Sequence, residues 1–380
     1  MINIQRSLEK KITEQFFWWK IIMILWARQV WKTTLVENIL KNNFSHKKTI
    51  SFNWDYSEDR ELLNNNSLKK LELFIEDKSI IFIDEAQKIV NIWNTLKILI
   101  DKYKDKKQII VTGSSSIHLT DLTSEPLTWR KIIHNMFTIS IWEYSNTFWV
   151  READNNLEKF LIFGWYPDVL AQKTAESKIQ VLKELANSSL YRDILEFQQI
   201  RNSDIILKLL KLLALQIGWE VSITELANKL WIDTKTVDRY VDLLMKSYII
   251  FKLPPIFKNK RKELSKLNKI YFYDLWIRNI IINNMSSLEN RTDTWWLWEN
   301  FLILERMKCN SYNTNFLNIY FWRNYNKQEV DYIEEIAGNI NAYEFKWWKK
   351  TPKLPNGFTE SFPESKFKIV NKENYLEFLL

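Results

Sequence analysis

One segment narrows the choice of folds more than any other. The apolar run Ile21-Ile22-Met23-Ile24-Leu25 leads into Trp26-Ala27-Arg28-Gln29-Val30-Trp31-Lys32-Thr33-Thr34, then into a helical stretch over residues 35–40. A buried strand, a tight loop ending in Lys-Thr and a helix form the setting of the phosphate-binding loop G-x-x-x-x-G-K-[ST]. Trp26, Trp31, Lys32 and Thr33 occupy its four defining positions, with tryptophan at both glycine positions. Glycine is used there because backbone N–H groups must close around phosphate oxygens with no side chain in the way. An indole at either position would fill that cradle.

Composition offers a reason for the mismatch. The chain has 5 glycines and 19 tryptophans in 380 residues. Average usage predicts about 27 glycines, a number that the two residue types together nearly reach. Many tryptophans also stand where turns call for glycine: Trp165 after Gly164, Trp219 after Gly218, Trp231 between two helical stretches, Trp276 after Asp274-Leu275, and the pair Trp295-Trp296. The expectation is that the gene reads UGA as glycine and that these tryptophans stand for glycine. The alternative is a tryptophan-rich protein with a degenerate loop. UGG codons at 26 and 31 would exclude the first reading.

The rest of the composition bounds the answer. The length allows two or three domains. The single cysteine, Cys309, rules out a disulfide framework and fits a reducing, cytoplasmic setting. His46, His118 and His134 have no zinc-site spacing. No apolar run approaches membrane-spanning length, and charged residues from Arg6 onward interrupt any leader-like pattern. A net charge of +8 leans mildly towards nucleic acid.

Strand-like runs then alternate with helical ones. Residues 49–53, 79–84 and 108–112 read as strands, the last two buried on both faces, and 132–141 is strand-like. Residues 67–77 and 91–104 read as helices. This alternation predicts an α/β fold, a parallel sheet with helices on both faces. Ligands in such sheets sit past the carboxyl ends of the strands. Lys32, Asp84 and Ser114 all lie just past such ends, so they are expected to converge.

With glycines in the loop, the roles follow from phosphoryl-transfer chemistry. Backbone N–H groups of residues 27–33 would cradle the β-phosphate at a helix N-terminus. Lys32 would bridge the β- and γ-phosphates of ATP. Thr33 and Asp84 would hold Mg²⁺, and Glu85 would polarise the attacking water. Ser114 or Thr112 could sense the γ-phosphate. Arg130 could stabilise transition-state charge, in its own subunit or a neighbour's, so an oligomer is possible.

Further on, residues 222–230 and 234–247 read as two helices joined by Trp231-Ile232-Asp233, followed by a strand at 248–253. That is a winged helix-turn-helix pattern. Lys235, Thr236, Asp238, Arg239 and Tyr240 start its second helix, the usual DNA reader. Lys258, Lys260, Arg261, Lys262, Lys266 and Lys269 form a basic run over 258–269 where the wing would be. The alternative is a helical lid or a protein-docking surface.

The last part reads as a helix over 297–308 and strands over 318–323, 329–335 and 341–346. Asp331 lies on one strand, and Glu344 and Lys346 share a face of the next; Glu299 lies on the helix. Two carboxylates and a lysine at a strand edge can hold a divalent metal and activate water for phosphodiester cleavage. A charged hairpin is the plainer alternative.

Several of these runs resemble one family. Ala27-Arg28-Gln29-Val30 with Lys32-Thr33-Thr34, Ile83-Asp84-Glu85-Ala86-Gln87, Thr112-Gly113-Ser114-Ser115 and Trp129-Arg130 resemble motifs of a bacterial and archaeal group of AAA-type ATPases. The resemblance continues through Gly164-Trp165-Tyr166-Pro167, residues 274–279, Leu297-Trp298-Glu299-Asn300 and Glu329-Val330-Asp331, so it covers nearly the whole chain. It implies an ATPase core over 1–142, a helical lid with a winged helix over 143–285, and a PD-(D/E)XK nuclease-like domain over 286–380. By the same comparison Trp298, Trp322 and one of Trp347 and Trp348 are expected to be genuine tryptophans.

The expected function is Mg²⁺-dependent ATP hydrolysis coupled to DNA or a protein partner. An ATP-gated, metal-dependent DNA nuclease is one alternative. A non-catalytic nucleotide-dependent interaction module, of the defence or toxin–antitoxin type, is the other.

Overall fold

In the computed structural model of the chain, residues 4–64, 68–89, 92–114, 127–190, 203–257, 267–313, 317–348 and 352–380 are described. The chain divides into two compact units, Asn3–Ile139 with Lys246–Tyr248, and Ser140–Met245 with Ile249–Leu380.

The first unit holds β1 (Ile21–Leu25), β2 (Thr49–Asn53), β3 (Ile80–Asp84), β4 (Gln108–Gly113) and β5 (Lys131–Asn135). Among the described residues these make a five-stranded sheet in the order β2-β3-β4-β1-β5, with every pairing parallel. The fold is therefore the expected α/β parallel sheet flanked by helices. β1, β3 and β4 are buried along their whole length, as their branched apolar sequences require. Leu96, Leu99 and Ile100 of the helix Ile92–Tyr103 pack with Ile81, Ile83, Ile109 and Val111 of the sheet. Each fully buried side chain of this kind contributes about 1.5–3 kcal/mol.

Two expectations about elements need correction. The strand expected over 132–141 ends at Asn135, because Ser140 starts a helix, Ile141–Phe148. The Ser140 side chain accepts the Glu143 N–H, and the Glu143 carboxylate accepts the Ser140 N–H, a reciprocal capping box. The helix expected over 297–308 runs from Thr294 to Tyr312. Trp295 and Trp296 thus lie in its first turn, where helical backbone demands no glycine.

In the second unit, helices Ile223–Leu230 and Thr234–Lys246 precede β7 (Ile250–Leu253). With β6 (Glu220–Val221) and β8 (Asn268–Phe272), β7 forms an antiparallel sheet in the order β6-β8-β7. A second sheet follows the long helix, in the order β12-β11-β10-β9: β9 (Asn318–Arg323), β10 (Glu329–Ile336), β11 (Asn339–Phe345) and β12 (Lys366–Val370). Lys235, Asp238 and Arg239 are exposed, whereas Tyr240, expected among the reader residues, is buried. Of the basic run, residues 258–266 lie outside the described residues, as do Ser115 and Ser116 of the loop after β4. Lys269 was expected on that exposed run; it is instead buried on β8 and ion-paired. Among the described residues no helix is long and apolar enough to cross a membrane.

Five of the thirteen described non-glycine residues with positive φ are tryptophans: Trp19, Trp31, Trp129, Trp149 and Trp231. Tryptophan is only 19 of 380 residues, so this share is far above chance. Trp231 caps the helix Ile223–Leu230 in the left-handed region at φ 58°, ψ 43°, the position that glycine usually takes. Trp149 has φ 72° and ψ 149°, a region that only glycine populates freely.

Candidate functional site

The loop between β1 and the helix Lys32–Asn43 positions the first cluster. Trp31 is the residue before that helix and sits in the left-handed region at φ 67°. Gln29 is also left-handed, at φ 60°. These turns fold the loop back on itself, so that the Lys32 ammonium donates to the carbonyls of Trp26 (3.1 Å) and Ala27 (2.7 Å). Arg6 ties the loop to the end of the sheet, donating to the carbonyls of Val30 (3.2 Å) and Phe137 (2.5 Å).

β4 lies between β1 and β3 in the sheet, which brings three strand ends together. Thr33 Oγ1 donates to Asp84 Oδ2 at 2.7 Å. Thr112 Oγ1 donates to the other oxygen, Asp84 Oδ1. The Glu85 N–H donates to Asp84 Oδ1 (3.1 Å) and Thr112 Oγ1 (3.3 Å). Ser114 Oγ donates to Glu85 Oε2 at 3.0 Å. Lys32 and Asp84 are buried and Glu85 is half-buried. Glu85 holds a left-handed backbone at φ 54°, strain that such residues keep where a side chain must be aimed. Lys32, Thr33, Asp84, Glu85 and Ser114 are thus gathered at one edge of the sheet. Oxygen donors from a hydroxyl and a carboxylate at contact distance are the donor set that Mg²⁺ takes alongside phosphate oxygens.

Arg130 is not part of this gathering. Its carbonyl accepts the N–H of Ile21, at the start of β1, whereas the loop follows the end of β1. Five residues of strand separate the two edges by about 16 Å. The Arg130 guanidinium pairs with Asp101 at 2.6 Å and lies over the Trp129 ring.

Aromatic rings next to the loop are a feature that sequence reading missed. The Trp26 indole is buried, stacked on Tyr248 (4.2 Å, 26°) and against Phe137 (4.1 Å, 46°). Tyr248 is more than two hundred residues away in the chain, so no local pattern could have marked it.

A second cluster lies in the C-terminal unit. Carboxylate oxygens of Glu299, Glu329 and Asp331 lie within 4.8 Å of one another. Glu299 comes from the long helix, and Glu329 and Asp331 from one face of β10. Glu344 is bonded to Lys346 at 2.5 Å on β11 and the residue after it. Burial, with Glu299 and Glu344 nearby, holds the Asp331 carboxyl well above the usual carboxylate range. Burial also raises Glu344. The expected residues Glu299, Asp331, Glu344 and Lys346 therefore share one neighbourhood. Glu329 and Lys269 are members that sequence reading did not place there. Alternation along β10 puts Glu329 on the face of Asp331 and could have marked it.

Three family models match successive parts of the chain: an AAA domain over residues 19–145, a domain of unknown function (DUF8612) over 154–288, and another (DUF4143) over 296–378. Similar proteins include an uncharacterized protein of Methanocaldococcus jannaschii, 26% identical over 92% of this chain and 82% of that protein. An uncharacterized protein of Mycobacterium tuberculosis is 24% identical over 86% of this chain and 70% of its own length. Among solved structures, the chain is similar to the replication initiator DnaA bound to AMPPCP and single-stranded DNA, with a TM-score of 0.29 and 16% identity over 74% of this chain and 93% of that one. Domain III of the Thermotoga maritima replication initiation protein DnaA gives a TM-score of 0.30 and 13% identity over 58% and 86%. Residues 19–145, the part similar to an AAA domain, span the parallel sheet and the loop cluster.

Proposed function

We propose that the chain binds ATP and hydrolyses it with Mg²⁺ at the loop cluster, and that Trp26 and Trp31 stand for glycine. The observation that carries this reading is the convergence of Lys32, Thr33, Asp84, Glu85 and Ser114 past the ends of β1, β3 and β4. The left-handed backbone at Trp31 supports the glycine reading. So do the four other tryptophans with positive φ.

The loop N–H groups of residues 27–33, which include Ala27, Arg28, Gln29 and Val30, bind the phosphates. Lys32 exchanges its carbonyl partners for β- and γ-phosphate oxygens. Thr33 and Asp84 would hold Mg²⁺, which supplies charge neutralisation on the phosphates; Thr34 follows them in the first turn of the helix. Glu85 accepts a proton from the water that attacks the γ-phosphorus, as the bond to the β–γ bridging oxygen breaks. Ser114, bonded to Glu85, orients that carboxylate. Arg130 lies at the opposite edge of the sheet, so any role at the phosphates falls to the Arg130 of a neighbouring subunit.

ATP turnover of the Trp26→Gly, Trp31→Gly double variant tests this directly. The glycine form is expected to turn over ATP and the chain as written hardly at all. Lys32→Ala in the glycine form should reduce turnover on the order of 10²-fold. A glycine form that neither binds nor hydrolyses ATP would sink the proposal.

We keep the division into 1–142, 143–285 and 286–380 as part of this reading, supported by the three successive family matches. A DNA or protein partner is proposed for the middle part, where Lys235 and Arg239 are exposed on one helix. A metal-dependent nuclease at Asp331 and Glu344, and a non-catalytic interaction module, are the competing readings. Metal-dependent DNA cleavage that Asp331→Ala abolishes would favour the nuclease. ATP turnover without cleavage would favour the others.

A further inference from the structure

The carboxylate cluster of the C-terminal unit already contains a cation. Lys269 on β8 is buried, with its Nζ 2.8 Å from Glu299 Oε1 and in direct contact with Glu329 Oε1. Tyr271, two residues on and on the same face of β8, donates its hydroxyl to the same Glu299 oxygen at 2.5 Å. Arg323 closes the outer side, 3.5 Å from Glu329 and 2.9 Å from Glu220.

We propose that Lys269 is the resident counter-cation of Glu299 and Glu329 beside Asp331, and that its ammonium excludes a divalent metal from the cluster. Metal–oxygen distances of about 2.0–2.6 Å would place an ion among these same oxygens. The ammonium lies against two of the three carboxylates, so an ion that takes both must displace it. A divalent ion entering beside Lys269 meets a like charge at contact in a buried setting, where screening by water is weak. A displaced ammonium would lose its carboxylates while still buried, which is strongly unfavourable. The cluster therefore acts as an ionic joint between β8, the long helix and β10. Phosphodiester cleavage there would first require Lys269 to leave.

Mn²⁺ binding by the full chain, followed by electron paramagnetic resonance and by thermal melting, tests this. The unsubstituted chain should show no Asp331-dependent Mn²⁺ site at millimolar ion. Lys269→Met leaves the carboxylates without their cation, so it should melt lower without metal. It should then bind one Mn²⁺ at least ten-fold more tightly than the unsubstituted chain and regain melting temperature as Mn²⁺ is added. Lys269→Met with Asp331→Asn should lose that recovery. Tight Mn²⁺ binding by the unsubstituted chain, lost in Asp331→Asn, would overturn the proposal, and this arm stands even if Lys269→Met fails to fold. A Lys269→Met chain that folds but gains no Mn²⁺ affinity would overturn it too.

Discussion

At the residue scale, tryptophan stands in two opposite settings in this chain. Trp231 is 93% exposed and left-handed. Its indole buries almost nothing, while the backbone carries a strain of roughly 1–2 kcal/mol that glycine would not. Trp231→Gly is therefore expected to stabilise the chain by about 1 kcal/mol, read as a higher denaturation midpoint; a lower midpoint would contradict the glycine reading there. Trp298 is the reverse case. It is fully buried, and its ring packs on Phe301, Trp347 and Tyr375. Trp298→Gly should lower stability by at least about 3 kcal/mol, as large-to-small changes in a core do. Trp347 packs on Trp298, whereas Trp348 is 70% exposed, so Trp347 is the better candidate for the genuine residue of that pair. Trp165 and Trp276 have ordinary φ and buried indoles without a hydrogen-bond partner. Trp298 shares that lack, so it does not separate the two settings; a positive φ favours glycine where it occurs.

At the scale of single elements, local chemistry sets boundaries and pH response. The capping box at Ser140 ends the run that reads as a long strand, since two helix N–H groups find side-chain partners there. Ser140→Ala should cost about 1 kcal/mol in the unit that holds it, measurable by hydrogen exchange in the helix Ile141–Phe148. β5 carries a titrating group. Burial, and then nearby Lys11, push the His134 imidazole down to about 4. The unfolded chain then takes up the proton first, at its ordinary value near 6.5. Stability from this residue is therefore complete above about pH 6.5 and is lost as pH falls towards 4, by up to about 3 kcal/mol. Urea midpoints across that window should show the loss, and His134→Gln should flatten it.

At the scale of the whole molecule, contacts between distant segments complete what local motifs begin. The first unit includes Lys246–Tyr248, and Tyr248 covers the ring at position 26. A fragment ending at Ile139 lacks that cover. It should be less stable than the same unit in the full chain, read as a lower urea midpoint.

The parallel sheet, the loop and the meeting of Thr33, Asp84, Glu85 and Ser114 at the strand ends were legible in the sequence. Strand burial shows as continuous apolar runs, and strand ends fix where the following polar residues emerge. Sequence also marked Asp331, Glu344, Lys346 and Glu299, since alternation and a helix-borne acid are local patterns. Local pattern could not place Lys269, whose basic neighbours suggested an exposed run, because burial is decided by what packs against a strand. Nor could it show that Arg130 emerges at the far edge of the sheet, or that Tyr248 reaches the loop. Sequence by itself determined which chemistry each segment offers. Tertiary structure alone decided which charges meet, because an ion pair between residues 269, 299 and 329 depends on three elements folding together rather than on any spacing along the chain.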